Sequence, residues 1–243
     1  VINHVDCTLL LEKEIMHPVS IYKIEKMRSL WLEKLPLIAP LYNAPNRHYH
    51  NWLHIEKCFA LTDRLSISDV EKELFKLAFL YHDAIYIPGM ESEKLSAELL
   101  RTHLNDELRN SPGKIQGGTF SPFGCLHLIY LKGSENTVSS HYSNEEIARW
   151  NALKSLFDDV DYAIMGSDWG EYSRYVENVK KEYLYWTDEK TFWKGRRAFL
   201  EGLKRKPLIF ENAHSSYIFE EFEKKARKNI EDEIAMLHPV ENV

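Results

Sequence analysis

Val70-Glu71-Lys72-Glu73-Leu74-Phe75-Lys76-Leu77-Ala78-Phe79-Leu80-Tyr81-His82-Asp83-Ala84 is the stretch that decides how this chain folds. Leu74, Leu77, Ala78 and Tyr81 recur at three- and four-residue intervals, the spacing of one face of a helix. Asp69 stands before them as an N-cap. The segment Leu77–Tyr81 is apolar without interruption and runs straight into His82-Asp83. The pair therefore lies where a buried helix ends. A buried carboxylate beside a buried imidazole is costly unless the two are paired or bind a metal, and a divalent cation offsets that cost directly.

Helical periodicity continues on both sides of this segment. Upstream, a helix is predicted from Ser20 to about Leu35, then a proline-broken linker (Pro36–Asn46), then a helix from about His48 to Leu65. Downstream, Ile87-Pro88-Gly89 reads as a turn and Ser92 to about Leu108 as a helix. Asn110–Gly124 reads as a long loop rich in Gly, Pro and Ser. A short apolar helix (Cys125–Leu131) and a second polar loop follow. Ser143 and Glu146 then form a capping box for a helix to Phe157. Further helices are predicted over Asp168–Trp186, Asp188–Lys206 and Ala213–Leu237. No segment alternates as a strand does, and there is no internal repeat. The expectation is an all-α bundle forming one domain over 1–243, with its core at about 20–237.

Composition narrows the function classes. In 243 residues, 31 Lys and Arg face 37 Asp and Glu, a net charge of −6. That balance argues against a general binder of nucleic acid duplexes, whose affinity comes from clustered basic side chains. Lys194, Arg196, Arg197, Lys204, Arg205 and Lys206 form the one basic cluster of note, read as a solvated helix face or the neighbour of an anionic ligand. Cys7, Cys58 and Cys125 form no Cys-x-x-Cys pair, which points to a reducing, cytoplasmic setting. No apolar run reaches the roughly 18 residues of a membrane span, and Cys7–Leu11 is too short for a signal core.

Histidine is abundant, at 11 residues, and unevenly placed. His48, His50 and His54 crowd one short segment. If that segment is helical, His50 and His54 share a face and can reach one ion or one substrate; the alternative is an exposed polar helix end. Asp158, Asp159 and Asp161 form an acidic cluster before Tyr162-Ala163-Ile164-Met165-Gly166. Capping of a helix start explains Asp158 and Asp159, whereas Asp161 stands inside an apolar stretch where a charge needs a reason.

The order His…His-Asp…Asp resembles the ligand pattern of the HD superfamily of metal-dependent phosphohydrolases. Tyr49-His50-Asn51-Trp52-Leu53-His54 is similar to a segment of the cyclic-nucleotide phosphodiesterases. The chain also resembles a family of predicted HD phosphohydrolases over most of its length, from about residue 20 to 237. The matching segments are Arg47–Ile55, Tyr81–Tyr86, Glu93–Ala97, Asp159–Gly166, Tyr172 with Tyr175, Glu182-Tyr183, Gly195-Arg196 and Ala226–Ile230 with Glu233.

The resemblance implies an HD-like helical fold with His54, His82, Asp83 and Asp161 as ligands of one divalent metal, and His50 as general acid. Two imidazoles and two carboxylates suit Mn, Fe, Ni, Zn or, less well, Mg. Such an ion activates water and polarises a phosphoryl group. Glu93 is then a base hydrogen-bonded to that water, or merely a helix N-terminal carboxylate. Arg47 is a phosphate fork or a structural ion-pair partner, and Arg196 and Arg227 carry the same ambiguity. The expected substrate is a phosphate ester of a nucleotide or other small metabolite.

Two departures are visible. The relatives' Thr-x-x-His would fall near Leu131-Lys132-Gly133-Ser134, where no histidine stands, and Ser92 replaces an asparagine. The first weighs against a second metal, and hence against a di-iron oxygenase on the same core. It also keeps open a metal-binding module without turnover.

Overall fold

The computed structural model describes residues 18–88, 90–110, 124–130 and 144–237. Among them are nine helices and two short 3-10 turns, with no strand: α1 (Pro18–Ile38), a 3-10 turn (Ala39–Asn43), α2 (Trp52–Asp63), α3 (Asp69–His82), α4 (Ser92–Asn110), α5 (Gly124–Tyr130), α6 (Asn144–Asp161), a 3-10 turn (Tyr162–Gly166), α7 (Trp169–Tyr183), α8 (Glu189–Arg205) and α9 (Tyr217–Leu237). The fold is an all-α helical bundle.

Helix α3 is its axis, touching α1, α2, α4 and α5. Every residue from Leu77 to His82 is buried, so the uninterrupted apolar run is explained by neighbours on all sides. Its start is set by Ser68, not Asp69. The Ser68 hydroxyl accepts from the Glu71 N–H and the Glu71 carboxylate accepts from the Ser68 N–H, a reciprocal cap. Two buried carboxylates bolt α3 to its flanks: Glu73 accepts from Arg28 and from Trp31 Nε1 (2.8 and 2.7 Å), and Glu71 from Arg149 Nε (2.7 Å).

Several predicted boundaries move, each for a local reason. α1 runs through Pro36 to Ile38 because Ile38 and Tyr42 are buried, the latter donating to the Leu80 carbonyl at 3.0 Å. α2 begins at Trp52, not His48, since the Asn51 side chain accepts from the Leu53 N–H and caps the helix. α6 reaches Asp161, four residues past the predicted Phe157. The acidic cluster thus sits at a helix C-terminus, where the dipole disfavours it, and the helix-start explanation of Asp158 and Asp159 fails. Asp159 instead accepts the Glu211 and Asn212 N–H groups (3.0 and 2.8 Å), with burial pushing its pKa up to about 6. Most of the predicted loop Asn110–Gly124, the second polar loop, Ser143 and Leu131–Ser134 lie outside the described residues.

The turn that follows Asp161 is clamped to α9. Asn229 Nδ2 donates to the carbonyls of Met165 and Ser167, both at 2.9 Å. A Cβ on Gly166 would stand 2.5 Å from Phe222 Cβ, so only glycine permits this approach. The clamp fixes the end of α6, and with it Asp161.

Candidate metal centre

Four side chains from three helix ends converge. His54 enters from the first turn of α2, His82 and Asp83 from the C-terminus of α3, and Asp161 from the last residue of α6. His54 Nε2 lies 3.1 Å from His82 Nε2, 3.2 Å from Asp161 Oδ1 and 3.7 Å from Asp83 Oδ2. His82 Nε2 lies 3.1 Å from Asp83 Oδ2 and 3.3 Å from Asp161 Oδ1. Ligands ~2.1 Å from one centre stand about 3.0 Å apart at right angles and about 3.4 Å apart at tetrahedral angles. Four of these separations fall in or beside that range and the His54–Asp83 one lies beyond it; the donors form two three-membered groups that share His54, one with His82 and Asp83 and one with Cys58 and Asp161.

The tautomer of His82 is settled by its surroundings. Nδ1 lies 2.9 Å from the Phe79 carbonyl, which can only accept, so Nδ1 carries the hydrogen and Nε2 faces the cluster. This is the orientation of a metal-ligating imidazole. The C-terminal end of α3 adds partial negative charge that favours a cation. Burial by itself would strip His82 of a proton, yet Asp83 and Asp161 overcome it and hold its pKa well above the usual imidazole value. Burial likewise opposes ionisation of both carboxylates, and it is overcome by His82 and His50 at Asp83 and by His54 and His82 at Asp161, so both stay below the usual carboxylate range. The pull that keeps a proton here suits a divalent cation.

The centre adjoins a cavity of about 520 Å³ whose lining includes His50, Asp83, Glu93 and Asp161. The Asp161 side chain is 35% exposed against 12% for Asp83, in keeping with a carboxylate at the cavity wall. His50 is not on α2, so it does not reach the cavity through shared helical register with His54. The loop before the helix carries it there, and the two rings lie 6.1 Å apart. Its Nδ1 donates to Glu182 Oε2 at 2.6 Å, while Glu182 Oε1 accepts the N–H groups of Tyr49 and His50 (2.7 and 2.9 Å). The ring stacks on Tyr86 at 3.9 Å. Burial lowers the His50 pKa, but Asp83 and Glu182 more than reverse this, leaving it raised. His50 is an oriented imidazole held toward its protonated form.

No family model, no curated protein and no solved structure matches the chain. The centre therefore stands on its own geometry.

Arg47 does not present its guanidinium to the cavity. Nη1 donates to the carbonyls of His50 (3.1 Å) and Asp83 (2.5 Å), and Nη2 to that of Ala84 (2.8 Å). It ties the histidine loop to the end of α3, and this scaffolding takes the place of the expected phosphate fork. Arg227 similarly binds the carbonyls of Lys204, Lys206 and Pro207 at and just past the end of α8. Arg196 forms a bidentate pair with Glu233. Trp52 packs on the core, its ring edge-on to Phe59.

Two neighbours carry no assigned role in the sequence reading, although Glu182 falls in a segment of the family resemblance. Glu182 is 132 positions from His50, and nothing local announces their pairing. Cys58 is different: one turn after His54, its buried Sγ lies 3.8 Å from His54 Nε2, and with His54 and Asp161 it completes a second three-donor group. The i, i+4 spacing on α2 was available as a signal.

Proposed function

We propose that this chain is a metal-dependent phosphohydrolase of the HD type, acting on a phosphate mono- or diester of a nucleotide or other small phosphorylated molecule. One observation carries the reading: two imidazoles with Nε2 atoms 3.1 Å apart, each within 3.7 Å of both the Asp83 and the Asp161 carboxylate, adjoin a cavity whose wall also holds a carboxylate-oriented imidazole. A divalent ion such as Mn, Fe, Ni, Zn or Mg, held by His54, His82, Asp83 and Asp161, would supply Lewis acidity toward water and the phosphoryl oxygens.

The chain's own residues do the rest. Glu182 holds the His50 ring through Nδ1, so the second ring nitrogen is the one offered to substrate, and His50 delivers a proton to the departing oxygen as the P–O bond breaks. Glu93, in the first turn of α4, lines the same cavity and orients the attacking water. Phe79 and Phe157, stacked at 4.0 Å beside His82, keep the back of the centre dry. A cytoplasmic setting fits the two buried free thiols, Cys58 and Cys125, and no described helix is long and apolar enough to cross a membrane.

The test is a panel of phosphomonoesters and phosphodiesters assayed with Mn, Ni, Co, Mg and Fe. Metal-dependent hydrolysis that Asp161→Ala abolishes without loss of helicity supports the reading. Wild-type turnover in that variant refutes it, and metal uptake without turnover on any ester leaves a metal-binding module.

A further inference from the structure

Beyond the metal centre, the cavity changes character. Tyr86, Tyr162, Tyr175, Tyr183, Phe192 and Phe199 line it, and all but Phe192 are only partly buried. Aromatic rings carry a large apolar area that dominates core and interface energetics, and tyrosine commonly keeps one face or its hydroxyl in contact with water. Several left part-exposed in one concavity form a surface that a flat apolar group would cover.

Two features of α8 sharpen this. Arg196 lines the cavity, but its charge is balanced by Glu233, and Tyr172 and Tyr175 accept from it at 3.1 and 3.0 Å. Its guanidinium stands 5.0 Å from the Tyr175 ring centre and 5.3 Å from that of Phe199. It therefore extends the stacking surface and does not call for a second anion. Gly195 occupies the same wall, one turn from Thr191 and from Phe199. A glycine inside a helix is destabilising relative to alanine, and a Cβ there would meet nothing within 4 Å. Gly170 and Gly202 are equally open but do not line the cavity. Gly195 is the exposed one on the cavity wall, where a side chain would meet only open space.

We propose that the group esterified to the phosphate is a planar aromatic one, an aryl or nucleoside moiety stacked between α7 and α8, and that Gly195 is the residue that leaves room for it. This rests on the phosphohydrolase reading above for where the phosphate sits, while the stacking surface itself stands apart from turnover. Aromatic stacking contributes on the order of 1–3 kcal/mol per ring by alanine substitution, or roughly ten- to a hundredfold in affinity.

The experiment measures binding of non-hydrolysable benzylphosphonate and ethylphosphonate to the Mn-loaded full chain by calorimetry. We expect the benzyl compound to bind at least about tenfold tighter, a preference that Gly195→Leu cuts by about tenfold with no fall in melting temperature. Adenosine 5′-monophosphate and phenyl phosphate, compared as substrates, tell a nucleoside from a simple aryl group. Equal binding of the two phosphonates, or a preference that Gly195→Leu leaves intact, overturns the proposal. If neither phosphonate binds, the phosphate reading has failed, and uncharged adenosine then decides: binding that Gly195→Leu weakens upholds the aromatic site, and absence of binding removes it.

Discussion

Two buried polar clusters lie within this bundle, and they are built on opposite principles. Around Arg196, donors and acceptors match: the guanidinium gives two hydrogen bonds to Glu233 (2.9 and 3.0 Å) and one each to the Tyr172 and Tyr175 hydroxyls. Around His82, four acceptors face one another, with two imidazole Nε2 atoms 3.1 Å apart and two carboxylates beside them. The first cluster is complete within the protein and holds α8 to α9. The second is short of positive charge, and only protons or a metal supply it. A matched cluster is a structural clamp, whereas a cluster of acceptors short of positive charge is a candidate site.

Removing one member from each cluster is the strongest way to break this contrast. Asp161→Ala should take metal-dependent hydrolysis down to the blank, while urea unfolding of the metal-free protein stays within about 1 kcal/mol of wild type, because the Asp161 carboxylate is part-exposed and Asp83 remains to pair with His82. Glu233→Ala should do the reverse. It strands a buried guanidinium, at a cost of about 3–5 kcal/mol in unfolding free energy by denaturant titration. Destabilisation by Asp161→Ala as large as that by Glu233→Ala would erase the distinction.

Glu182→Gln sharpens the comparison within the site. Outer partners of this kind are typically worth ten- to a hundredfold, so kcat should fall by roughly that much. The sign of its pH effect follows from His50, whose pKa is raised, against burial, by Asp83 and Glu182. The acid must be protonated to act, so kcat declines as pH climbs through that raised value. Without the Glu182 charge the decline should move to lower pH, visible in a kcat–pH profile. The metal should also act as a ligand of the fold. At Mn concentrations about 100-fold above Kd, it should add about 2.7 kcal/mol to stability, and nothing in Asp161→Ala.

Much of the bundle was legible because helix periodicity and burial leave local marks: α3 could be read from Val70–Ala84 alone, and His82-Asp83 at its end followed from the apolar run before it. The convergence of His54 with that pair and with Asp161 was legible only as a pattern of residue types. No periodicity says that α2, α3 and α6 should end at one point; the Asn229 and Gly166 contacts that fix α6 are made by residues far apart in sequence. Arg47 misled for a related reason. A guanidinium advertises an anion, but the carbonyls it binds belong to a helix end and have no signature in side-chain identity. His50 falls outside α2 because the Asn51 side chain caps the helix one residue after it, a local signal that the histidine spacing alone does not carry.

The central claim is that one divalent ion sits among His54, His82, Asp83 and Asp161. Anomalous scattering from crystals grown with Mn tests it most directly. The account predicts a single strong peak within bonding distance of both Nε2 atoms and of a carboxylate oxygen from each aspartate. A peak elsewhere, or none between the two imidazoles, would contradict it.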